Sequence, residues 1–447
     1  MKITIIGAGP GGYETALEAA KKGIECVLIS DGPVGGTCLN EGCIPTKSLC
    51  RDAELCRCRQ GDPEYSKVLA RKDSVVSRLR EGVEFLLKNK LIRLIYGKAS
   101  FADVHTVKVH AADGAELSVT SDYIIIATGS VPASLPVPGA DLEGVIDSSA
   151  ALSLQEIPRR LCIIGAGVIG LEFASVFSGF GSEVKVLEYC GNILPHFDTD
   201  MAKRLKQSLS RHGIKIETSA RVQGIARDGQ GSLHVSYVKG GEENETVGDK
   251  VLMAVGRRAN VRSLNLDDIG LAWTERGITV NGYMQTSIPH IYAIGDVTGG
   301  LMLAHVATFQ GYRALGHILA GQPAEGAVDN IDFSVVPAAV FTEPEAASVG
   351  LTEDECKERG IAYEARKAFF RANGKALSLD SADGYCKLLV DKETGLVLGC
   401  HIFGPHSSDL IHEAALLMNG KIPVDEYRGF IHAHPTLGEV LQAAARE

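Results

Sequence analysis

The first apolar run of the chain, Ile3-Thr4-Ile5-Ile6 after Lys2, ends abruptly on Gly7 and reads as a short strand. A glycine-rich turn at 7–12 follows, then a helix over 13–22 and a second strand over 25–29. The same order returns as a strand at 160–164, a glycine turn at 165–170, a helix at 171–179 and a strand at 183–187. This is one supersecondary unit used twice, not a short-period repeat array. It predicts two dinucleotide folds, and so two cofactors or one fold that has lost its ligand.

Between the two units the pattern is helical over 66–88 and then alternates in short strands from 92 to 123. Pro132, Pro136, Pro138 and Gly139 read as a linker into the second unit. A mixed segment after Val261 ends in Ile291-Tyr292-Ala293-Ile294-Gly295-Asp296, followed by a helix over 304–319 and a Gly/Pro-bearing stretch at 321–329. The remainder reads as α+β, with strands at 335–341 and 385–390 and helices at 409–418 and 437–446. The predicted fold class is α/β: two Rossmann-like dinucleotide-binding domains and a C-terminal α+β domain.

The 447 residues match about three domains at roughly 150 residues each. With 45 basic against 55 acidic residues the net charge is −10, which argues against a general binder of nucleic acid or of an anionic membrane. The uncharged run 123–140 holds three prolines and predicts no spanning helix. Gly7, Gly9, Pro10, Gly11 and Gly12 break the apolar start before it resembles a secretory leader. Eleven cysteines without a scaffold-like rhythm suit a reducing compartment, so the expected location is cytoplasmic.

Three motifs carry chemistry. Gly7-Ala8-Gly9-Pro10-Gly11-Gly12 and Gly165-Ala166-Gly167-Val168-Ile169-Gly170 share the spacing that lets backbone approach a pyrophosphate at a helix N-terminus. Twenty-three residues beyond each first glycine stand Ser30 and Glu188. Glu188 suits ribose hydroxyls and would repel a 2′-phosphate, so the second site favours NAD; the bland alternative is a solvated strand-end glutamate. The third motif holds Cys38 and Cys43, five apart and able to close a small redox-active loop. Pro45 suits a first helical turn, which puts Cys43 at a helix N-terminus whose dipole favours its thiolate.

The run Gly35-Gly36-Thr37-Cys38-Leu39-Asn40-Glu41-Gly42-Cys43-Ile44-Pro45-Thr46-Lys47 resembles the redox segment of the class I FAD-dependent pyridine nucleotide–disulfide oxidoreductases. The resemblance extends through both glycine turns, Ala127-Thr128-Gly129, residues 286–296 and His432-Ala433-His434-Pro435-Thr436-Leu437-Gly438-Glu439, and so covers essentially the whole chain. Within the family it is most similar to members that oxidise protein-bound dihydrolipoamide. It implies an FAD domain with the redox disulfide at 1–144, an NAD domain at 145–263, a further FAD-binding central segment at 264–328 and a dimerisation domain at 329–447.

Carried over by position, the resemblance implies FAD contacts at Gly7, Gly9, Gly12, Asp31, Gly36, Thr37, Lys47, Ala99, Thr128, Gly129, Asp296 and Ala304. NAD contacts fall at Gly165, Gly167, Gly170, Glu188, Val222 and Gly256. Asp296 would bind the ribityl chain, and Lys47 paired with Glu172 would lie near the reactive flavin nitrogen. Cys38 would exchange with the substrate and Cys43 pass electrons to the flavin. His434, oriented by Glu439, would be the base that deprotonates the dithiol in the other subunit of a homodimer, while His432 is assigned a structural role. The implied partner is a lipoyl-bearing protein of a 2-oxoacid dehydrogenase complex or glycine cleavage system. With no carrier domain ahead of the first strand, the lipoyl group is expected on another chain.

Ser30 departs from the glutamate usual in the family, which predicts a weakened anchor for the FAD adenosine. Asp31 takes over only if the strand ends early, because consecutive strand residues point to opposite faces. Thr46 and Gly438, where serines are commoner in the family, are minor changes. Cys50, Cys56 and Cys58 are expected to be packing thiols and not a metal site, since no second cysteine pair has finger-like spacing. The alternatives kept open are an NAD(P)H-dependent reductase of another disulfide or small thiol, and a non-catalytic NAD or redox sensor.

Overall fold

The computed structural model describes residues 1–59, 64–111, 113–323, 325–326 and 328–447, with the side chains of Cys58 and Arg59 outside the described set. The expectation for Cys58 therefore lies outside the described residues, as do Ala324 and Ala327 of the stretch 321–329. The chain gathers into two compact units. One is Met1–Ser48, Leu69–Ala133 and Gly256–Ile331; the other is Leu49–Val68, Ser134–Val255 and Asp332–Glu447.

The first unit is built on a five-stranded parallel sheet in the order Ile291–Ala293, Tyr123–Ile126, Lys2–Ile6, Glu25–Ser30, Ile92–Tyr96. Alternate residues feed two cores. Ile3, Ile5 and Leu28 pack with Ala16, Ala19 and Ala314 of the helices Pro10–Lys21 and Ala304–Leu319. Ile6, Val27 and Ile29 face Val107 and Val109 of an antiparallel three-stranded sheet, Lys98–Phe101, Thr106–His110 and Glu116–Thr120. Burial on both sides explains why these strands read as continuous apolar runs, each aliphatic side chain contributing about 1.5–3 kcal/mol. The first helix begins at Pro10, three residues before the sequence expectation, because proline lacks the N–H that a first turn leaves unbonded.

The second unit repeats the parallel plan with Lys215–Glu217, Glu183–Leu187, Arg160–Ile164, Lys250–Met253 and Val145–Ile146. Its antiparallel sheets are a three-stranded one, Arg221–Arg227, Leu233–Lys239 and Glu242–Gly248, and a five-stranded one in the order Ala338–Val340, Glu345–Gly350, Val397–Gly404, Tyr385–Asp391, Tyr363–Phe369, which is covered by Ser407–Asn419 and Glu439–Arg446. The strand expected over 335–341 contracts to Ala338–Val340, since the Phe341 amide is turned to the Glu172 carboxylate, 3.1 Å away, and leaves the ladder. The helix Thr199–Arg211 is joined to this sheet by Asp198–Lys387, Asp200–Lys367 and Asp383 with Ser208 and Arg211. Among the described residues no helix is long and apolar enough to cross a membrane.

Candidate active site

The first glycine turn is a cradle in which side chains do not fit. Gly7 has φ +109°, and a Cβ there would stand 2.2 Å from the Ala127 carbonyl oxygen; one on Gly12 would stand 1.9 Å from the Gly7 oxygen. A Cβ on Gly9, where the helix opens, would meet nothing within 4 Å among the described residues, which leaves room for a pyrophosphate against the amides of a helix start. The second turn repeats this at Gly165 and Gly170, with Gly167 open. Both turns fit a dinucleotide.

The two halves differ where the second strand ends. Glu188 accepts from the Ala166 amide at 2.6 Å and from the Cys190 amide at 2.7 Å, so its carboxylate closes the second turn. The strand Glu25–Ser30 runs its full length, so Ser30, not Asp31, takes the matching place; its hydroxyl is turned to the Gly32 carbonyl at 2.8 Å. Asp31 is exposed. Ala8, the counterpart of Ala166, is 3% exposed, and among the described residues its amide has no protein acceptor. A buried donor of that kind suits a cofactor oxygen. Restoring the acid is expected to bring a charge-assisted hydrogen bond: Ser30→Glu should tighten FAD about tenfold. Equilibrium dialysis of holoprotein with fluorescence of the released flavin measures this, and unchanged or weaker retention contradicts a weakened adenosine anchor.

Also in the first unit, Gly36 and Thr37 lie on the short helix Gly36–Asn40, and a Cβ on Gly36 would meet the Gly9 Cα at 2.7 Å. Thr128 donates to the Asn260 carbonyl at 2.8 Å, and Gly129 takes the Asn260 amide at 3.0 Å. Asp296 sits in the turn Gly295–Thr298, which Gln310 holds through the Gly295 amide at 2.7 Å. Ala304 opens its helix, and Ala99 is buried on Lys98–Phe101.

Cys38 lies on the short helix Gly36–Asn40 and Cys43 is the first residue of Cys43–Arg59, so the second thiol is at a helix N-terminus. Asn40 ties the loop by donating to the Val34 and Gly36 carbonyls, both at 3.0 Å. Thr46 donates back to Gly42 at 2.6 Å. The two cysteine side chains are hydrogen-bonded to each other. That bond, burial and the Cys43 charge push the Cys38 thiol up, while the Lys47 ammonium pulls the other way. One thiolate in the pair thus disfavours a second, and Cys38 holds its proton. Tyr13, which the motifs did not single out, faces this pair electrostatically; burial and Glu14 raise its phenol to about 12.

In the second unit, Glu172 is 3% exposed on Val168–Gly179 and accepts the Phe341 amide. The Phe341 carbonyl in turn accepts from Cys50 at 3.3 Å, so Cys50 is a bonded, half-buried thiol. Val222 is buried on Arg221–Arg227, and Gly256, assigned to NAD from sequence, falls in the first unit with φ +111°. Lys47 likewise belongs to the first unit and Glu172 to the second.

His434 and Glu439 meet: Nδ1 is 3.0 Å from Oε1, while Oε2 accepts the Thr436 amide at 2.8 Å. The Thr436 amide and the imidazole hold the Glu439 carboxyl below its usual range. An ionised carboxylate only accepts, so Nδ1 carries the proton and Nε2 is left basic. The His434 side chain is 78% exposed. His432 is its opposite, 11% exposed and bonded to Glu413 at 2.8 Å and Tyr427 at 3.1 Å. Glu413 and Tyr427 had no signal in the sequence. Ser130 and Arg257 also went unread, although they adjoin Gly129 and Gly256.

Residues 1–311 match the family model of the pyridine nucleotide-disulphide oxidoreductases, and residues 336–445 match that of their dimerisation domain. A dihydrolipoyl dehydrogenase of Bacillus subtilis (strain 168) is 39% identical over 457 residues, covering 99% of this chain and 98% of its own. The mitochondrial dihydrolipoyl dehydrogenase of Pisum sativum is 37% identical over 458 residues, covering 99% and 90%. Among solved structures, the HOCl-induced flavoprotein disulfide reductase RclA from Escherichia coli superposes with a TM-score of 0.90 at 31% identity, over 100% of this chain and 99% of that one.

Proposed function

The chain belongs to the pyridine nucleotide-disulphide oxidoreductase family, and from that premise we propose that it is a dihydrolipoyl dehydrogenase, passing two electrons from protein-bound dihydrolipoamide to NAD. Its cofactors are FAD and NAD. The observation that carries the reading is the exposed imidazole of His434 with its carboxylate partner Glu439, a base held ready for a thiol arriving from solvent. A thiol of pKa about 8.5 is mostly protonated at neutral pH, so attack on a disulfide needs such a group.

In this mechanism Nε2 of His434 takes a proton from the first substrate thiol. The thiolate attacks Cys38 Sγ, the Cys38–Cys43 bond breaks, and its electron pair stays on Cys43 at the helix N-terminus. The second substrate thiol closes the dithiolane and frees Cys38, which keeps a proton because Cys43 is charged. FAD, when bound, connects two-electron sulfur chemistry to hydride transfer. The balance is dihydrolipoamide plus NAD⁺ giving lipoamide, NADH and a proton. Glu188 supports NAD over NADP. His434 would serve the redox pair of the other subunit in a homodimer, and a lipoyl-bearing protein in the cytoplasm would be the partner.

The likeness to a flavoprotein disulfide reductase supports a second reading, in which NADH reduces another disulfide. An anaerobic visible-absorption titration separates the two. Addition of dihydrolipoamide should replace the flavin band by a long-wavelength thiolate–flavin band, and NAD should restore it with formation of NADH. A flavin untouched by dihydrolipoamide but reduced by NADH favours the second reading, and a colourless protein reopens the non-catalytic one.

A further inference from the structure

Behind Asp296 runs a chain of polar contacts with a fixed direction. Strand Ser130–Pro132 pairs antiparallel with Arg257–Ala259, setting Arg257 opposite Pro132 and Ser130 opposite Ala259. The Arg257 guanidinium reaches back along this pair, with Nε 2.7 Å from the Ser130 hydroxyl and Nη2 2.8 Å from the Ser130 carbonyl. The same hydroxyl lies 2.5 Å from Asp296 Oδ2.

A guanidinium only donates, so the Ser130 oxygen must accept from Nε. Its single proton then points to Asp296. Ser130 is 8% exposed, which keeps the link out of bulk water and strengthens it. The carboxylate is thereby tied at Oδ2, and among the described residues no protein donor reaches Oδ1. Oδ1 is an acceptor waiting for a donor.

We propose that Arg257 and Ser130 are positioning residues that turn Asp296 so that Oδ1 meets a hydroxyl of the FAD ribityl chain. The inference rests on the reading of Asp296 as the ribityl contact. Arg257 and Ser130 do not touch the cofactor themselves; they fix the rotamer of the group that does and lend it the polarity of a nearby cation.

Dilution of the holoprotein, followed by fluorescence of the released flavin, gives the FAD dissociation constant, and competition by ADP gives that of ADP. ADP shares adenosine and pyrophosphate with FAD but has no ribityl chain. Ser130→Ala should weaken FAD about tenfold, the worth of one charge-assisted hydrogen bond, and leave ADP within about twofold. Arg257→Gln, at a half-exposed side chain, should likewise weaken FAD and spare ADP, and serves if Ser130→Ala does not fold. An equal loss of FAD and ADP, or no loss of FAD, overturns the proposal. Asp296→Ala distinguishes the premise: if it binds FAD as the native chain does, the ribityl contact itself is wrong. If it loses FAD while Ser130→Ala does not, only the positioning role falls.

Discussion

Replacing His434 with glutamine is expected to lower turnover of dihydrolipoamide with NAD by about two to four orders of magnitude, the usual worth of a positioned general base. The side chain is exposed and, among the described residues, bonded only to Glu439, so the fold and the flavin spectrum should stay unchanged. The pH profile is the sharper readout. Without the imidazole, the rate should climb with pH toward the thiol pKa of about 8.5, because only pre-ionised substrate can attack. Glu439→Gln should cost less, since the imidazole survives but loses the acceptor that fixes its tautomer. His432→Gln, at the inward partner of Glu413 and Tyr427, is the control and should leave the rate nearly untouched. Stopped-flow reduction by dihydrolipoamide measures all three, and a His434→Gln rate within a factor of three of native would remove His434 from the mechanism.

What could be read from the chain was what local spacing dictates. Gly7 and Gly12 are legible because only glycine permits the turn to fold onto itself, a constraint met within six residues. Cys43 at a helix start follows from Pro45 two positions later, and His434 with Glu439 from five residues and a helix beginning. Ser30 was legible as a departure, but its consequence, a buried Ala8 amide without an acceptor among the described residues, needed the fold. Other contacts join residues far apart in sequence: Ser130 with Asp296, Cys50 with Phe341, Asp198 with Lys387. No periodicity announces such pairs, because each partner is compatible with many others until the sheets set their register. Lys387 makes the point. In an apolar strand a lysine reads as an exposed edge, yet it is 0% exposed, because its carboxylates arrive from elsewhere in the chain.

That buried lysine should be the costliest single charge to remove. Its ammonium lies 2.6 Å from Asp198 Oδ1 and 3.1 Å from Glu353 Oε2, while Asp198 also caps Thr199–Arg211 through the Met201 amide. Lys387→Met leaves Asp198 buried and uncompensated, and should destabilise the chain by about 3–5 kcal/mol in urea unfolding. Asp198→Asn on the same background keeps the cap and removes the stranded charge, so it should recover most of the loss; a purely additive double variant would contradict the pairing. The network also sets an acid limit. Burial would raise the Glu353 carboxyl, but Lys357 and Lys387 outweigh it and hold it at about 2; burial is likewise overcome at Asp198, which stays below its usual range. Depressed carboxylates stabilise fully above their unfolded values near 4 and lose this as pH falls through the folded ones. His401, buried between Ser348 and the Leu351 carbonyl, is pushed down to about 4 by burial, with Lys387 adding to the shift. Because the unfolded histidine takes its proton near 6.5, this contribution is complete above that pH and is lost between about 6.5 and 4. Native unfolding midpoints should therefore fall in two stages on acidification, and the double variant should lose from the lower stage the Asp198 share and part of the Glu353 share, which Lys357 still sustains, while keeping the upper one.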